Sequence, residues 1–184
     1  MNSVDKEKIQ KAITMILEAI GEDPTREGLV DTPKRVANMY EELTAGYRDD
    51  EKMHLAKTFD VQGGEWIIEK DIAFSSTCEH HLMPFFGKMA IAYAPTDKVV
   101  GLSKLARTVE VFARRLQLQE RLTGEVADAV MTCLNAKAVI VLCEAEHTCM
   151  TARGVRKIGS KTMTFAKRGD VDNNQFNTIL EMMK

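Results

Sequence analysis

Two helical stripes stand back to back in the middle of this chain, with extended apolar segments on both sides of them. Ser103 can cap a helix whose buried face is Leu105, Val109, Phe112, Ala113 and Leu116. A second stripe follows through Leu122, Val126, Ala129, Val130, Cys133 and Leu134. Before them, residues 58–62 and 65–74 flank Gly63-Gly64, a hairpin signal, and Lys88 to Ala94 reads as a strand ended by Pro95-Thr96-Asp97. After them, Ala138 to Ala145 is an apolar run of buried-strand length, and Lys161 to Ala166 reads as a last strand. Strands and helices do not alternate one by one, which argues against a doubly wound parallel sheet. The order predicts an α+β fold with a largely antiparallel sheet.

Helices close both ends. Ile9, Ile13, Ile16, Leu17 and Ile20 fall at helical spacing within residues 5–20, and Gly21 suits a C-terminal stop. Beyond a polar loop from Glu22 to Gly28, Asp31-Thr32-Pro33 reads as a helix start, with Thr32 as cap and Pro33 preset for the first turn. Val36, Met39, Tyr40 and Leu43 continue that stripe to about Gly46, and the charged residues 47–57 read as a connector. At the other end, Asp172 can cap a helix with Phe176, Ile179, Leu180 and Met183 on one face.

Composition removes several classes of function. Hydrophobic residues are 45% and charged residues 28% of 184, which suits a globular chain able to bury a core without staples. The net charge of −2 lacks the basic excess of a general nucleic-acid binder. No apolar run approaches the roughly 18 residues of a membrane span. Met1 to Lys8 has no apolar stretch of a secretory signal, so a cytoplasmic setting with four reduced cysteines is expected.

Reduced thiols beside histidines point to metal or to chemistry. Cys78-Glu79-His80-His81 and His147-Thr148-Cys149 each join the two residue types at the end of an expected strand. Cys78 and His81 can close on one ion through a tight turn, and an extended 147–149 segment would aim His147 and Cys149 to one side. Zinc accepts thiolate and imidazole, and three protein ligands leave a place for water. Five candidates for three or four places leave one or two histidines over, and a free histidine beside an activated water is a natural acid or base. Chance clustering of core or surface residues competes with this reading, as does a structural zinc. The latter usually takes four ligands in paired spacings, whereas His147-x-Cys149 is not one. Cys133 and Cys143 lie on apolar faces and read as core.

A second constellation suits anions. Gly101-Leu102-Ser103-Lys104-Leu105-Ala106-Arg107 opens a helix whose free N–H groups, Ser103 hydroxyl, Lys104 and Arg107 can hold phosphate. Taken alone, a capped surface helix with a solvated basic edge is the better explanation of it. Arg153-Gly154-Val155-Arg156-Lys157 begins four residues after Cys149. Gln117-Leu118-Gln119-Glu120-Arg121 lies between two helices, where a carboxylate can accept from a guanine N1–H and amino group, or merely sit in a polar turn. Gly154 to Thr162 has one residue too many for a P-loop and no strand–loop–helix context.

Taken together, Asp31-Thr32-Pro33-Lys34-Arg35, Ser76-Thr77-Cys78-Glu79-His80-His81, Gly101-Leu102-Ser103-Lys104, Gln119-Glu120-Arg121-Leu122-Thr123 and His147-Thr148-Cys149 through Ala152-Arg153-Gly154 resemble the GTP cyclohydrolase I family. The match runs over roughly residues 31 to 165. One departure is Leu116, where the family often has proline. The resemblance implies Cys78, His81 and Cys149 as zinc ligands and His80 and His147 as an unliganded acid–base pair. It implies Glu120 on the guanine edge with Gln119 beside it. Ser103, Lys104, Arg107 and Arg153 would face ribose and triphosphate, and Arg35 would add a phosphate contact from a neighbouring subunit. The implied fold is the tunnelling fold, an antiparallel sheet with two helices on one face. Residues 1–57 would be a helical appendage and residues 58–184 the catalytic domain. Sheets of neighbouring subunits would close into a barrel, typically in a homodecamer with interfacial sites, without nucleic-acid or membrane partners.

The implied reaction is zinc-dependent conversion of GTP and water to 7,8-dihydroneopterin triphosphate and formate, the first step of pterin and tetrahydrofolate biosynthesis, in an enzyme open to allosteric control. His80 would protonate the purine at N7 during ring opening. His147 and Ser103 would assist reclosure. Three alternatives remain from the residues alone. A nucleoside deaminase or another zinc hydrolase of purine nucleotides would want C-x-x-C, which is absent. A nicotinamide-dependent reductase on the same fold would use a cysteine nucleophile. A non-catalytic, zinc-stabilised GTP-binding scaffold would have no use for two unliganded histidines.

Overall fold

The computed structural model describes residues 3–183. Helix α1 (Lys6–Ala19) begins where the Asp5 carboxylate accepts from the Lys8 N–H at 2.9 Å, and ends just before Gly21, whose φ of 86° suits glycine. It packs along α2 (Thr32–Leu43). Asp31, not Thr32, holds the N-cap position of α2, and Pro33 lies in its first turn. The cap shifts by one because Thr32 already has helical geometry. Of the α1 stripe only Leu17 is buried, while Ile16 and Ile20 remain 54% and 68% exposed. The expected apolar face is real, but most of it is not covered within one chain.

The segment expected to be a charged connector is structured. A 3₁₀ turn at Ala45–Arg48 leads into α3 (Glu51–Leu55), capped by Asp50, and Leu55 is fully buried. Five residues are too few for helical periodicity to show in a sequence. Gly46 is required here, since a Cβ would overlap the Val111 carbonyl.

The hairpin expected around Gly63-Gly64 does not form. Strand β1 (Thr58–Asp60) instead pairs with β4 (Lys98–Val100), with Phe59 opposite Val99. Gly64 lies against the Pro95 ring, so the two glycines carry the chain past a turn rather than making one. Strand β2 (Ile67–Cys78) pairs with β3 (Pro84–Ala94), which begins four residues earlier than its apolar run. A bulge between Glu69 and Ile72 places Asp71 at φ 59°, and its carboxylate accepts from Lys88 at 2.7 Å.

The main sheet is completed by β5 (Leu116–Gln117), β6 (Ala138–His147) and β7 (Lys161–Gly169), in the order β5-β2-β3-β6-β7. All pairs are antiparallel except the two-residue contact of β5 with Thr77 and Cys78. Helices α4 (Leu102–Ala113) and α5 (Gln119–Cys133) cover one face. Leu105, Val109, Leu122 and Val126 meet Phe85, Met89, Ile91, Tyr93, Val139 and Val141 there. The opposite face carries Ala90, Ala92, Ile140 and Leu142 beneath α7 (Asn173–Met183), which Asp172 caps as expected. The two faces follow the alternation of side chains along β3. Ser103 lies inside the first turn of α4, with Gly101 at the N-cap, so it is not the capping residue. The α+β class and two helices on one face agree with expectation. Helix α7 on the second face was expected as a helix but not placed.

Candidate active site

Strands β2 and β6 flank β3, so their C-terminal ends lie at the same end of the sheet. After Cys78 the chain makes a tight turn. The Cys78 N–H donates to the Met83 carbonyl at 2.8 Å, the Leu82 N–H donates to the Cys78 carbonyl at 2.9 Å, and Leu82 takes φ 53°. This turn leaves His80 and His81 exposed at the rim. At the end of β6 the backbone does not stay extended. It enters a one-turn helix, α6 (Thr148–Thr151), so alternation does not set the directions of His147 and Cys149. The Thr148 hydroxyl donates to the Pro84 carbonyl at 2.6 Å and ties α6 to the start of β3.

The result brings Cys78 Sγ, a His81 ring nitrogen and Cys149 Sγ within 4.8 Å of one another. Cys78 Sγ lies 3.9 Å from His81 Nδ1. Among the described residues these three of the five candidate ligands converge, and His80 and His147 stay outside the group. Burial and the adjacent Cys78 thiol raise the pKa of the Cys149 thiol. Two thiolates crowded in this way repel each other, and a cation held between them and the neutral imidazole would reverse that cost. The donor set fits zinc.

His147 is set by packing. Its partner across the sheet is Phe85, and the rings are stacked with centroids 4.6 Å apart and planes 7° from parallel. Burial lowers its pKa from the ordinary histidine value, with the Glu120 charge acting in the opposite direction. Its Nε2 lies 2.8 Å from Gln119 Oε1.

The segment that could have been a polar inter-helix turn is the start of α5. Leu118 is its extended N-cap, and Gln119 and Glu120 form its first turn. Gln119 is buried, while Glu120 is exposed and lines a cavity of about 450 Å³. Cys78, His80, His81 and Cys149 line this cavity together with Gln119, Glu120 and His147. The volume lies in the usual range for small-molecule sites. Arg153 is close enough for its charge to act on Cys149.

The anion constellation is elsewhere. Ser103, Lys104 and Arg107 do not line the cavity. They lie in the first two turns of α4, whose C-terminus leads to β5 and Cys78. Twelve helical residues span about 18 Å, so the helix sets its own N-terminus well away from the cysteines. Arg107 lines a separate depression with Asp49 and His54, and Arg35 is exposed on α2, 3.5 Å from Asp31. Cys133 is half-buried against the core and Cys143 is fully buried, its thiol pushed up to about 12 by desolvation. Sequence reasoning did not single out Phe85, Thr162 or Thr164 near the site. Their roles depend on cross-strand register, for which no local signal exists.

Comparison with known proteins agrees with this geometry. The family model described as GTP cyclohydrolase I matches residues 9–184. A GTP cyclohydrolase 1 of Clostridium kluyveri is 56% identical over 183 residues, covering 98% of this chain and 99% of that protein. The GTP cyclohydrolase 1 of Carboxydothermus hydrogenoformans is 62% identical over 167 residues, 90% of this chain and 87% of its own. That of Finegoldia magna is 58% identical over 166 residues, 90% of each chain.

Proposed function

The chain belongs to the GTP cyclohydrolase I family, and from that premise we propose that it converts GTP and water to 7,8-dihydroneopterin triphosphate and formate. The observation that carries this reading is the convergence of Cys78, His81 and Cys149, with His80 and His147 left unliganded at the same cavity. A purely structural metal would leave those histidines and the open cavity without a purpose.

Cys78, His81 and Cys149 would hold zinc, which when bound supplies an activated water near neutral pH. Glu120, exposed and lining the cavity, would accept from the guanine N1–H and amino group. His80, exposed at the rim of a tight turn, protonates N7 as the imidazole ring of the substrate opens. His147 and Ser103 then move protons during rearrangement and closure of the pterin. Lys104, Arg107 and Arg153, with Arg35, bind the triphosphate. Binding energy there positions a base whose reacting carbon is remote from the phosphates.

The placement of Ser103, Lys104 and Arg107 favours a site completed by a neighbouring copy, since α4 carries them away from their own cavity. The exposed side of the α1 stripe is consistent with assembly. We therefore read the working form as a homo-oligomer, a decamer with interfacial sites in which sheets close into a barrel. Residues 1–57 are read as a helical appendage, docked through α3 on α4, and residues 58–184 as the tunnelling-fold catalytic domain. Among the described residues no helix is long and apolar enough to cross a membrane.

The test is incubation of the purified protein with GTP, with and without chelator, reading formate and an oxidisable fluorescent pterin. Both products, lost with chelator and restored by zinc, are expected. Neither product from a folded, zinc-loaded protein would turn the reading to a non-catalytic GTP-binding scaffold.

A further inference from the structure

We propose that Gln119 is a positioning residue that sets the tautomer of His147, holding it as the Nε2–H form so that Nδ1 is the nitrogen left to meet the substrate. The hydrogen bonds around the Gln119 amide all have determined directions. Gln119 Nε2 lies 3.2 Å from the Cys143 carbonyl, 3.0 Å from the Thr162 carbonyl and 3.1 Å from the Thr164 hydroxyl. Two of these partners are carbonyl oxygens, which only accept, so the nitrogen of the amide must face them. Rotating the amide by half a turn would place its oxygen against two carbonyls in a site where Gln119 is 1% exposed. An unpaired polar contact of that kind in a buried place is costly.

The hydroxyls fix the same polarity. The Thr123 hydroxyl donates to the Gln119 backbone carbonyl at 2.7 Å. Its only proton is then used, so in its 2.7 Å contact with Thr164 it accepts, and Thr164 donates. Thr164 in turn accepts from Gln119 Nε2. A closed ring therefore runs from the Gln119 amide through Thr164 and Thr123 back to the Gln119 backbone. The amide orientation is over-determined from α5, β6 and β7 together. Gln119 Oε1 is left facing His147 Nε2 at 2.8 Å, and an amide oxygen can only accept. His147 Nε2 must carry the proton. In the neutral ring Nδ1 is then the acceptor.

This goes further than placing Gln119 beside Glu120 as a substrate contact. Both polar atoms of its side chain are engaged by protein groups, so its contribution to turnover passes through His147. The face of the imidazole is held separately, by Phe85. One neighbour sets the ring plane and the other sets which nitrogen bears hydrogen. The role in turnover rests on the GTP cyclohydrolase reading of the site, whereas the tautomer does not.

The experiment is solid-state nitrogen NMR of zinc-loaded protein labelled with ¹⁵N-histidine, with the His147 signals assigned by their loss in His147→Gln. The expected result is a protonated Nε2 and a bare Nδ1 in the wild-type protein. Gln119→Met, close in volume, should give a mixture of both tautomers. Its kcat should fall roughly 10-fold, the loss of one hydrogen bond to a reacting group, with KM for GTP within about 2-fold of wild type. A wild-type spectrum with hydrogen on Nδ1 overturns the proposal without any variant, even if Gln119→Met fails to fold. So does an unchanged His147 spectrum in Gln119→Met, or a raised KM with kcat unchanged, which would make Gln119 a substrate contact. Absence of turnover in the wild-type protein would defeat the functional reading, and the nitrogen spectrum would still decide the tautomer.

Discussion

Phe85 and His147 face each other across β3 and β6, and their rings lie parallel within 7° at 4.6 Å. Phe85 is itself fully buried and meets Phe74 edge-on at 6.0 Å, so one side chain belongs at once to the core and to the candidate site. Phe85→Ala should lower the unfolding free energy by about 3–5 kcal/mol, the usual cost of emptying a buried aromatic site. Phe85→Leu keeps most of the volume but removes the flat seat of His147. Its kcat should fall while urea denaturation shows a much smaller loss than for Phe85→Ala. An unchanged kcat in a folded Phe85→Leu would show that the stack plays no part in turnover.

The thiols separate into two kinds. Cys149→Ser should abolish both bound zinc and turnover, read by elemental analysis and pterin fluorescence. Cys143→Ser should keep its zinc, because Cys143 lies in the core, its thiol held far above the neutral range. His80→Ala should also keep zinc yet lose ring opening. Loss of metal in that variant would make His80 a ligand.

Protons should act on stability through His147. Burial lowers its folded pKa below the ordinary 6.5, so the unfolded chain binds the proton more readily. The stabilising difference is present above about pH 6.5 and is lost as pH falls toward the depressed folded value. Urea denaturation from pH 8 to pH 5 should show wild type losing stability relative to His147→Gln, both at the same zinc loading. Parallel curves for the two proteins would contradict the shift.

Triphosphate binding should be separable from chemistry. Lys104→Ala and Arg153→Ala each remove a charge-assisted contact of about 1.5–3 kcal/mol, so KM for GTP should rise roughly 10- to 100-fold with a smaller change in kcat. Guanosine processed as well as GTP would defeat the phosphate assignment. If neighbouring copies complete one site, inactive Cys149→Ser subunits mixed after dissociation with Lys104→Ala subunits should recover turnover at a low KM for GTP, which neither has alone.

Gly87 tests the sheet beneath the site. A Cβ there would overlap the Glu144 carbonyl of the adjoining strand. Gly87→Ala should cost at least about 1–3 kcal/mol, read as a lowered Tm, because only a backbone shift relieves the clash.

The helical stripes from Leu105 to Leu134 and the two cysteine–histidine clusters are patterns within short stretches of chain. Period and spacing alone therefore identified them, along with the α+β class and the residue types able to hold zinc. The failures lie where a partner is distant in sequence. Gly63-Gly64 has the composition of a hairpin turn, yet β1 pairs with β4, forty residues onward. Five side chains were eligible ligands, and only the alignment of the β2 and β6 ends across β3 brings Cys78, His81 and Cys149 together. Gln119 beside Glu120 looks like a second substrate contact until β6 and β7 supply the carbonyls that turn its amide toward His147. Local propensity is a property of neighbouring residues, so the chain carries it in plain order. Register, amide orientation and histidine tautomer are settled by groups that meet only when the strands pair and exclude water, and those are decided by the tertiary structure.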